Sequence, residues 1–174
     1  HLETSSAFDM PMIEALEKKG ALTKDITVIC NGFKTYQYKQ YIIDMLHDGF
    51  KNIIPVLDNK EEFNLYDDEL ELDTPCNLGI RIAAEEQPDS QFYTSRLGVR
   101  QEDVIDFYNT KIVKNPNFKV KLLHFFINSG ITDTPYYWNE LEKYVTLYCK
   151  FKKINPDLDT LDIGGGMPFK DSLV

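Results

Sequence analysis

Cysteine is scarce in this chain of 174 residues, and its three copies, Cys30, Cys76 and Cys149, share no C-x-x-C spacing. The three histidines, His1, His47 and His124, form no local pair either. Neither a zinc site nor a disulfide framework is therefore expected, which suits a reducing cytoplasm. Basic residues are in deficit: 19 Lys and Arg stand against 28 Asp and Glu, a formal net charge of -9. Such a surface repels phosphate backbones and anionic lipid, so neither nucleic acid nor membrane is an expected partner, although a local pocket can still take a small anion. No run approaches the roughly 20 apolar residues of a membrane span, and the N-terminus lacks the basic, apolar and small-residue order of a signal peptide. An initiator methionine is also missing. His1-Leu2-Glu3 enters strand-like patterning at once, so the chain reads as one that begins mid-domain.

What is present is a folded-protein composition, with 43% hydrophobic and 13% aromatic residues, enough for one domain with a sizeable core. Apolar, β-branched runs predict strands over residues 2–5, 26–31, 52–57, 76–83, 120–128 and 160–163. Helical patterns lie between them. Ser6, with Asp9 three residues on, predicts the cap of a first helix whose face carries Met12, Ile13 and Leu16 before Gly20 stops it. A second helix is predicted over about 35–47, with Tyr38, Tyr41, Ile42, Met45 and Leu46 inside, and a third over about 101–114 with Val104, Ile105, Tyr108 and Ile112. Thr134 and Pro135 open a fourth, on which Tyr137, Leu141, Tyr144, Val145 and Tyr148 recur at helical intervals. The acidic stretch over 60–73 reads as a short solvated helix and loop rather than a metal site.

Strands alternating with helices indicate an α/β fold with parallel strands. Six strands at spacings near thirty residues predict a partial TIM (β/α)8 barrel of about six of the eight βα units, since a complete barrel takes about 250 residues. The whole of 1–174 is then one partial barrel domain. A smaller doubly wound sheet is the competing architecture.

The chemistry concentrates near the C-terminus. In Leu161-Asp162-Ile163-Gly164-Gly165-Gly166-Met167-Pro168 an apolar strand breaks into three glycines, whose amides no side chain covers. Such a run cradles a phosphate or forms a flexible loop after a buried strand. In Gly79-Ile80-Arg81-Ile82-Ala83, alternation sets Arg81 on the face opposite Ile80 and Ile82. A charged side chain facing a barrel interior needs a carboxylate or a ligand beside it. Asp9 is accounted for as a helix-start carboxylate, Glu3 as a strand residue, His124 as a packed strand histidine and Ser129 as a turn residue.

The runs Leu2-Glu3-Thr4-Ser5-Ser6, Val28-Ile29-Cys30-Asn31-Gly32-Phe33-Lys34, Ser95-Arg96-Leu97-Gly98-Val99, Leu122-Leu123-His124-Phe125 and Asp162-Ile163-Gly164-Gly165-Gly166 follow one another along nearly the whole chain. In order and spacing they resemble the alanine-racemase-like, pyridoxal-phosphate-dependent decarboxylases of fold type III, and among these the biosynthetic arginine decarboxylases. The resemblance implies pyridoxal 5'-phosphate as cofactor. It implies that Gly164, Gly165 and Gly166 hold its phosphate through main-chain N–H groups, with the Ser129 hydroxyl as a further donor, and that Arg81 lies beside its ring. Glu3 and Asp9 match acidic positions near the Schiff base. It further implies an amino-acid substrate, a homodimer or higher assembly, and a role in polyamine synthesis.

The chain departs from that family in three respects. A ring-stacking histidine is replaced by Phe126 within Phe125-Phe126-Ile127-Asn128-Ser129, an aromatic plate that exchanges no protons. No run matches the Schiff-base lysine motif, and Lys34, which follows the second strand, is not assigned that role. Neither the later glutamate that pairs with the pyridine nitrogen nor the C-terminal β-domain is found. The 174 residues alone are therefore expected to be inactive. The alternatives are a decarboxylase of ornithine, lysine, diaminopimelate or carboxynorspermidine, or a catalytically silent paralogue that binds a partner.

Overall fold

β-Branched and apolar residues crowd six segments that become strands: β1 (Leu2–Thr4), β2 (Thr27–Cys30), β3 (Asn52–Leu57), β4 (Cys76–Arg81), β5 (Phe118–His124) and β6 (Thr160–Asp162). They belong to a computed structural model that describes residues 1–70, 74–83, 97–126 and 134–165. Each strand pairs in parallel with the next, in the order β1-β2-β3-β4-β5-β6. Parallel neighbours require crossover connections, and helices supply them: α1 (Met10–Lys18), α2 (Tyr36–His47), α3 (Glu62–Asp67), α4 (Val104–Thr110) and α5 (Thr134–Ile154). A doubly wound sheet reverses its strand order at a switch point. This sheet does not reverse, and it is a half-barrel whose edge strands, among the described residues, are β1 and β6.

Alternation sorts the strand residues between two apolar layers. Val28, Cys30, Ile53, Leu57, Leu78 and Ile80 join the helices in the main core, while Ile29, Ile54, Val56 and Leu122 form a second cluster on the concave face. A register shift between Leu78 and Gly79 leaves Lys121 unopposed and reverses the phase of β5, so Val120 points to the helices and Leu122 to the concave side. Gly79 sits between Val56 and Leu122 on that side. A Cβ there would lie 2.8 Å from Val56 Cγ2 and 3.0 Å from Leu122 Cδ2.

Several expectations need correction. Ser6 does not cap α1. The carboxylate of Asp9 instead accepts the N–H groups of Ser5 and Ser6 and the Ser6 hydroxyl, closing a turn before the helix starts at Met10. Because α1 packs along one stripe only, Met10 and Ile13 are buried while Met12 and Leu16 are exposed. The predicted helix over 101–114 is α4 between two 3-10 turns, Gln101–Asp103 and Ile112–Lys114. Nor is α3 solvated all round. It buries Glu62, Phe63 and Tyr66, with the Phe63 ring edge-on to Phe118 at 5.0 Å. On α5 the inner face carries Tyr137, Tyr144, Leu147 and Phe151, and Val145 faces out.

Candidate active site

Parallel strands in register place residues of the same rank side by side, and at the C-terminal ends this puts four ionisable groups in a row. Leu57 pairs with Ile80, which sets Asp58 next to Arg81; Arg81 pairs with His124, and His124 with Asp162. Arg81 Nη1 lies 3.4 Å from Asp58 Oδ1, and His124 Nε2 lies 3.9 Å from Asp162 Oδ2. All four side chains are at least 88% buried. Charges at such depth persist only when paired, and here the cation Arg81 has Asp58 beside it. Burial holds His124 below the ordinary imidazole range, Asp162 opposes that shift, and Arg81 adds to it.

The Asp58 end is braced from beneath. Glu62 accepts the N–H groups of Asp58 at 2.9 Å and Lys34 at 3.3 Å, and Lys34 Nζ donates to the carbonyls of Gly32 and Val56. Lys34 Nζ and Glu62 Oε2 are 4.0 Å apart, with both side chains buried. Burial lowers the Lys34 ammonium and Glu62 pulls it back; burial raises the Glu62 carboxyl and Lys34 opposes. Gly98 closes the same corner. Its N–H donates to the Asp58 carbonyl at 2.6 Å, and at φ +109 a Cβ would stand 2.5 Å from the Ala83 nitrogen, so only glycine fits.

At the other end of the row the chain turns out of β6. Gly164 has φ +68, and its N–H donates to Asp162 Oδ1 at 2.9 Å. That amide is thus bonded to Asp162, two residues back, whereas the resemblance implies it as a phosphate donor with Gly165 and Gly166. Gly164 also lies against β5, where a Cβ would meet the Phe125 carbonyl at 2.9 Å and the Phe126 ring at 3.0 Å. Gly165 has open space around its Cβ position.

The structure thus brings Arg81, Phe126, Gly164 and Gly165 to one rim. Glu3 faces a concave groove of about 430 Å³ that Asp162 also lines; burial and then the Asp162 charge raise its carboxyl. Asp9 is not joined to the row by any described hydrogen bond or ion pair, and its bonds to the turn amides, that of Ser5 first, hold it below the usual carboxylate range. Ser129, Gly166, Ser95 and Arg96 lie outside the described residues. Asp58, Asp162 and the Lys34–Glu62 pair were given no role by sequence reasoning. One signal was available, since each of Asp58, Arg81, His124 and Asp162 is the ionisable residue at the C-terminal end of an apolar run, where parallel β/α folds collect their sites.

Four buried atoms near this rim lack hydrogen-bond partners among the described residues: Asn31 Oδ1, Asp58 Oδ2, His124 Nδ1 and Asp162 Oδ2. The three unpaired oxygens call for donors, while the open glycine turn beside a guanidinium and an aromatic ring suits a planar group that carries an anion. The family model for the pyridoxal-binding domain of pyridoxal-dependent decarboxylases matches residues 6–172. The chain belongs to this family. The cofactor of these decarboxylases is pyridoxal phosphate, and the described rim fits it.

Among curated relatives of this decarboxylase domain is the biosynthetic arginine decarboxylase of Vibrio cholerae, 25% identical over 146 residues, which covers 80% of this chain and 23% of that protein. The chain spans about a quarter of the length of the curated relatives it matches. Two solved structures share the fold with a TM-score of 0.66. One is the biosynthetic arginine decarboxylase of Campylobacter jejuni, at 19% identity over 98% of this chain and 28% of that one. The other is the lysine decarboxylase of Selenomonas ruminantium, at 20% identity over 99% of this chain and 42% of that one.

Proposed function

We propose that this chain is the cofactor-binding barrel portion of a decarboxylase that converts arginine to agmatine and carbon dioxide, with 1–174 acting as one domain. The supporting observation is the buried row Asp58, Arg81, His124 and Asp162, ending in an open glycine turn at the strand mouth. The arginine assignment rests on relatives that carry that name. Bound here, pyridoxal 5'-phosphate would supply an electron sink for the pair left on the substrate Cα when the Cα–carboxylate bond breaks and carbon dioxide leaves.

The chain's own residues bind and orient. The Gly165 and Gly166 amides and the Ser129 hydroxyl hold the phosphate, while Gly164 shapes the turn that presents them. Arg81, steadied by Asp58, offers its guanidinium beside the cofactor ring, and Phe126 covers a ring face and excludes water. Glu3 adds negative charge on the concave side, and Asp9 is assigned to the turn before α1. The whole protein is read as a cytoplasmic homo-oligomer that feeds polyamine synthesis and acts on a free amino acid, not on nucleic acid or membrane.

Carbon dioxide release from arginine, ornithine, lysine, diaminopimelate and carboxynorspermidine, assayed on the whole protein with pyridoxal 5'-phosphate, tests this reading. Preferential release from arginine is expected. Release from another member of the panel would move the substrate, and silence on all of them would favour a catalytically inert binder. Phe126 speaks for that second reading, because a phenyl ring exchanges no proton.

A further inference from the structure

The two oxygens of Asp162 stand in different situations. Oδ1 accepts the Gly164 N–H at 2.9 Å. Oδ2 is buried without a hydrogen-bond partner among the described residues, 3.9 Å from His124 Nε2. The His124 ring is no better anchored, since its Nδ1 is likewise buried and unpartnered. Register pairing sets the two residues opposite each other, so one carboxylate stands between the histidine and the glycine turn.

We infer that Asp162 and His124 are positioning residues for the phosphate-bearing end of the cofactor, Asp162 clamping the Gly164 turn and His124 holding Asp162 in place. This rests on the functional reading above and deepens it. With its own N–H bonded to Asp162, Gly164 contributes conformation: φ +68 turns the chain away from β5, and Gly165 emerges into open space. Without the Asp162 acceptor that turn loses its only described hydrogen bond through the Gly164 amide, and the Gly165 amide beyond it loses its aim.

His124 couples this turn to charge. The groups facing it are Asp162 on β6, Arg81 on β4, Asp58 after β3 and Lys34 after β2, while Glu3 on β1 faces Asp162 from the open side. The two carboxylates favour a proton on the imidazole, whereas burial, Arg81 and Lys34 oppose it. At 3.9 Å the His124–Asp162 contact is too long for a hydrogen bond, and a movement of about 1 Å closes it. An anion arriving beyond Gly164 adds negative charge at this end of the row and so favours the closed, protonated pair. Linkage makes the effect mutual: a phosphate group raises the proton affinity of His124, and a proton on His124 strengthens phosphate binding.

The test compares pyridoxal 5'-phosphate with pyridoxal, which lacks the phosphate, by absorbance titration of the whole protein. Asp162→Ala is expected to weaken pyridoxal 5'-phosphate binding at least about tenfold and to change pyridoxal binding less than about twofold. Asp162→Asn keeps an acceptor for Gly164 and is expected to restore most of the affinity. NMR titration of the His124 ring should move upward on adding pyridoxal 5'-phosphate, and Asp162→Asn should lower that titration in the free and the loaded protein, leaving only the smaller movement due to the anion itself. Equal losses for both ligands in Asp162→Ala, or an unaltered His124 titration in Asp162→Asn, would overturn the inference while leaving the functional reading standing. An unsubstituted protein that binds no pyridoxal 5'-phosphate would instead remove the functional reading, and the inference with it.

Discussion

Replacing Glu62 by glutamine should expose how much the site depends on its buried brace. The Lys34 side chain is fully buried, and Glu62, 4.0 Å away, is its nearest counter-charge. Glu62→Gln keeps one side-chain acceptor for the amides of Asp58 and Lys34 but strands the ammonium. Breaking one partner of a buried pair costs about 3–5 kcal/mol. For a chain of this size that lowers the melting temperature by about 6–20 °C. The loss should also depend on pH. Because burial depresses the Lys34 ammonium, the unfolded chain holds its proton at pH values where the native protein has released it. Stability attributable to Lys34 therefore rises with pH through the window between its depressed folded value and the ordinary lysine value of about 10.4. Removing Glu62 depresses the ammonium further, so the deficit of Glu62→Gln is largest near neutrality and narrows on the alkaline side. Urea unfolding followed by circular dichroism at neutral and alkaline pH reads both effects. Adding Lys34→Met to Glu62→Gln should recover at least half of the deficit, because no charge is then stranded. A neutral-pH loss below about 1 kcal/mol, a deficit that ignores pH, or a double variant no better than the single would refute this account of the pair.

Three more outcomes are expected. Gly79→Ala drives a methyl to 2.8 Å from Val56 Cγ2 and should lower stability by about 1–3 kcal/mol in urea; an unchanged midpoint would contradict the close approach of β3, β4 and β5. Gly165→Ala meets open space and should leave stability within about 0.5 kcal/mol, whereas Gly165→Asp should fold yet lose pyridoxal phosphate through like charge, and undiminished cofactor absorbance would count against the glycine turn. The 174-residue chain alone exposes two strand edges together with Phe8, Phe33 and Tyr36, so light scattering should show association, and a stable monomer would disprove it.

Much of the fold was legible because local pattern and global topology agree. Asn52–Leu57 is rich in β-branched residues, Cys76–Arg81 alternates apolar residues with others, and Thr35 accepts the Tyr38 amide at the start of α2, close to where that helix was expected. Errors arose where a partner decided. Phe63 is buried in an acidic stretch because Phe107 and Phe118 offer it an apolar surface, and Tyr66 is buried in the same core. Met12 and Leu16 follow helical spacing yet face outward, because nothing described covers that side of α1.

Arg81 was readable as an inward cation needing a carboxylate, but the identity of that carboxylate was not, since Asp58 lies 23 residues earlier. Taken alone, the sequence determined the order of strands and helices, the inward arginine and the glycine break after the last strand, all of which depend on neighbours along the chain. Only tertiary structure decided that Asp58, Arg81, His124 and Asp162 stand in one row and that Asp162 takes the Gly164 amide. Parallel pairing, with its register shift beside Gly79, brings residues from four separate strand ends to the same depth, and local periodicity carries no record of that register.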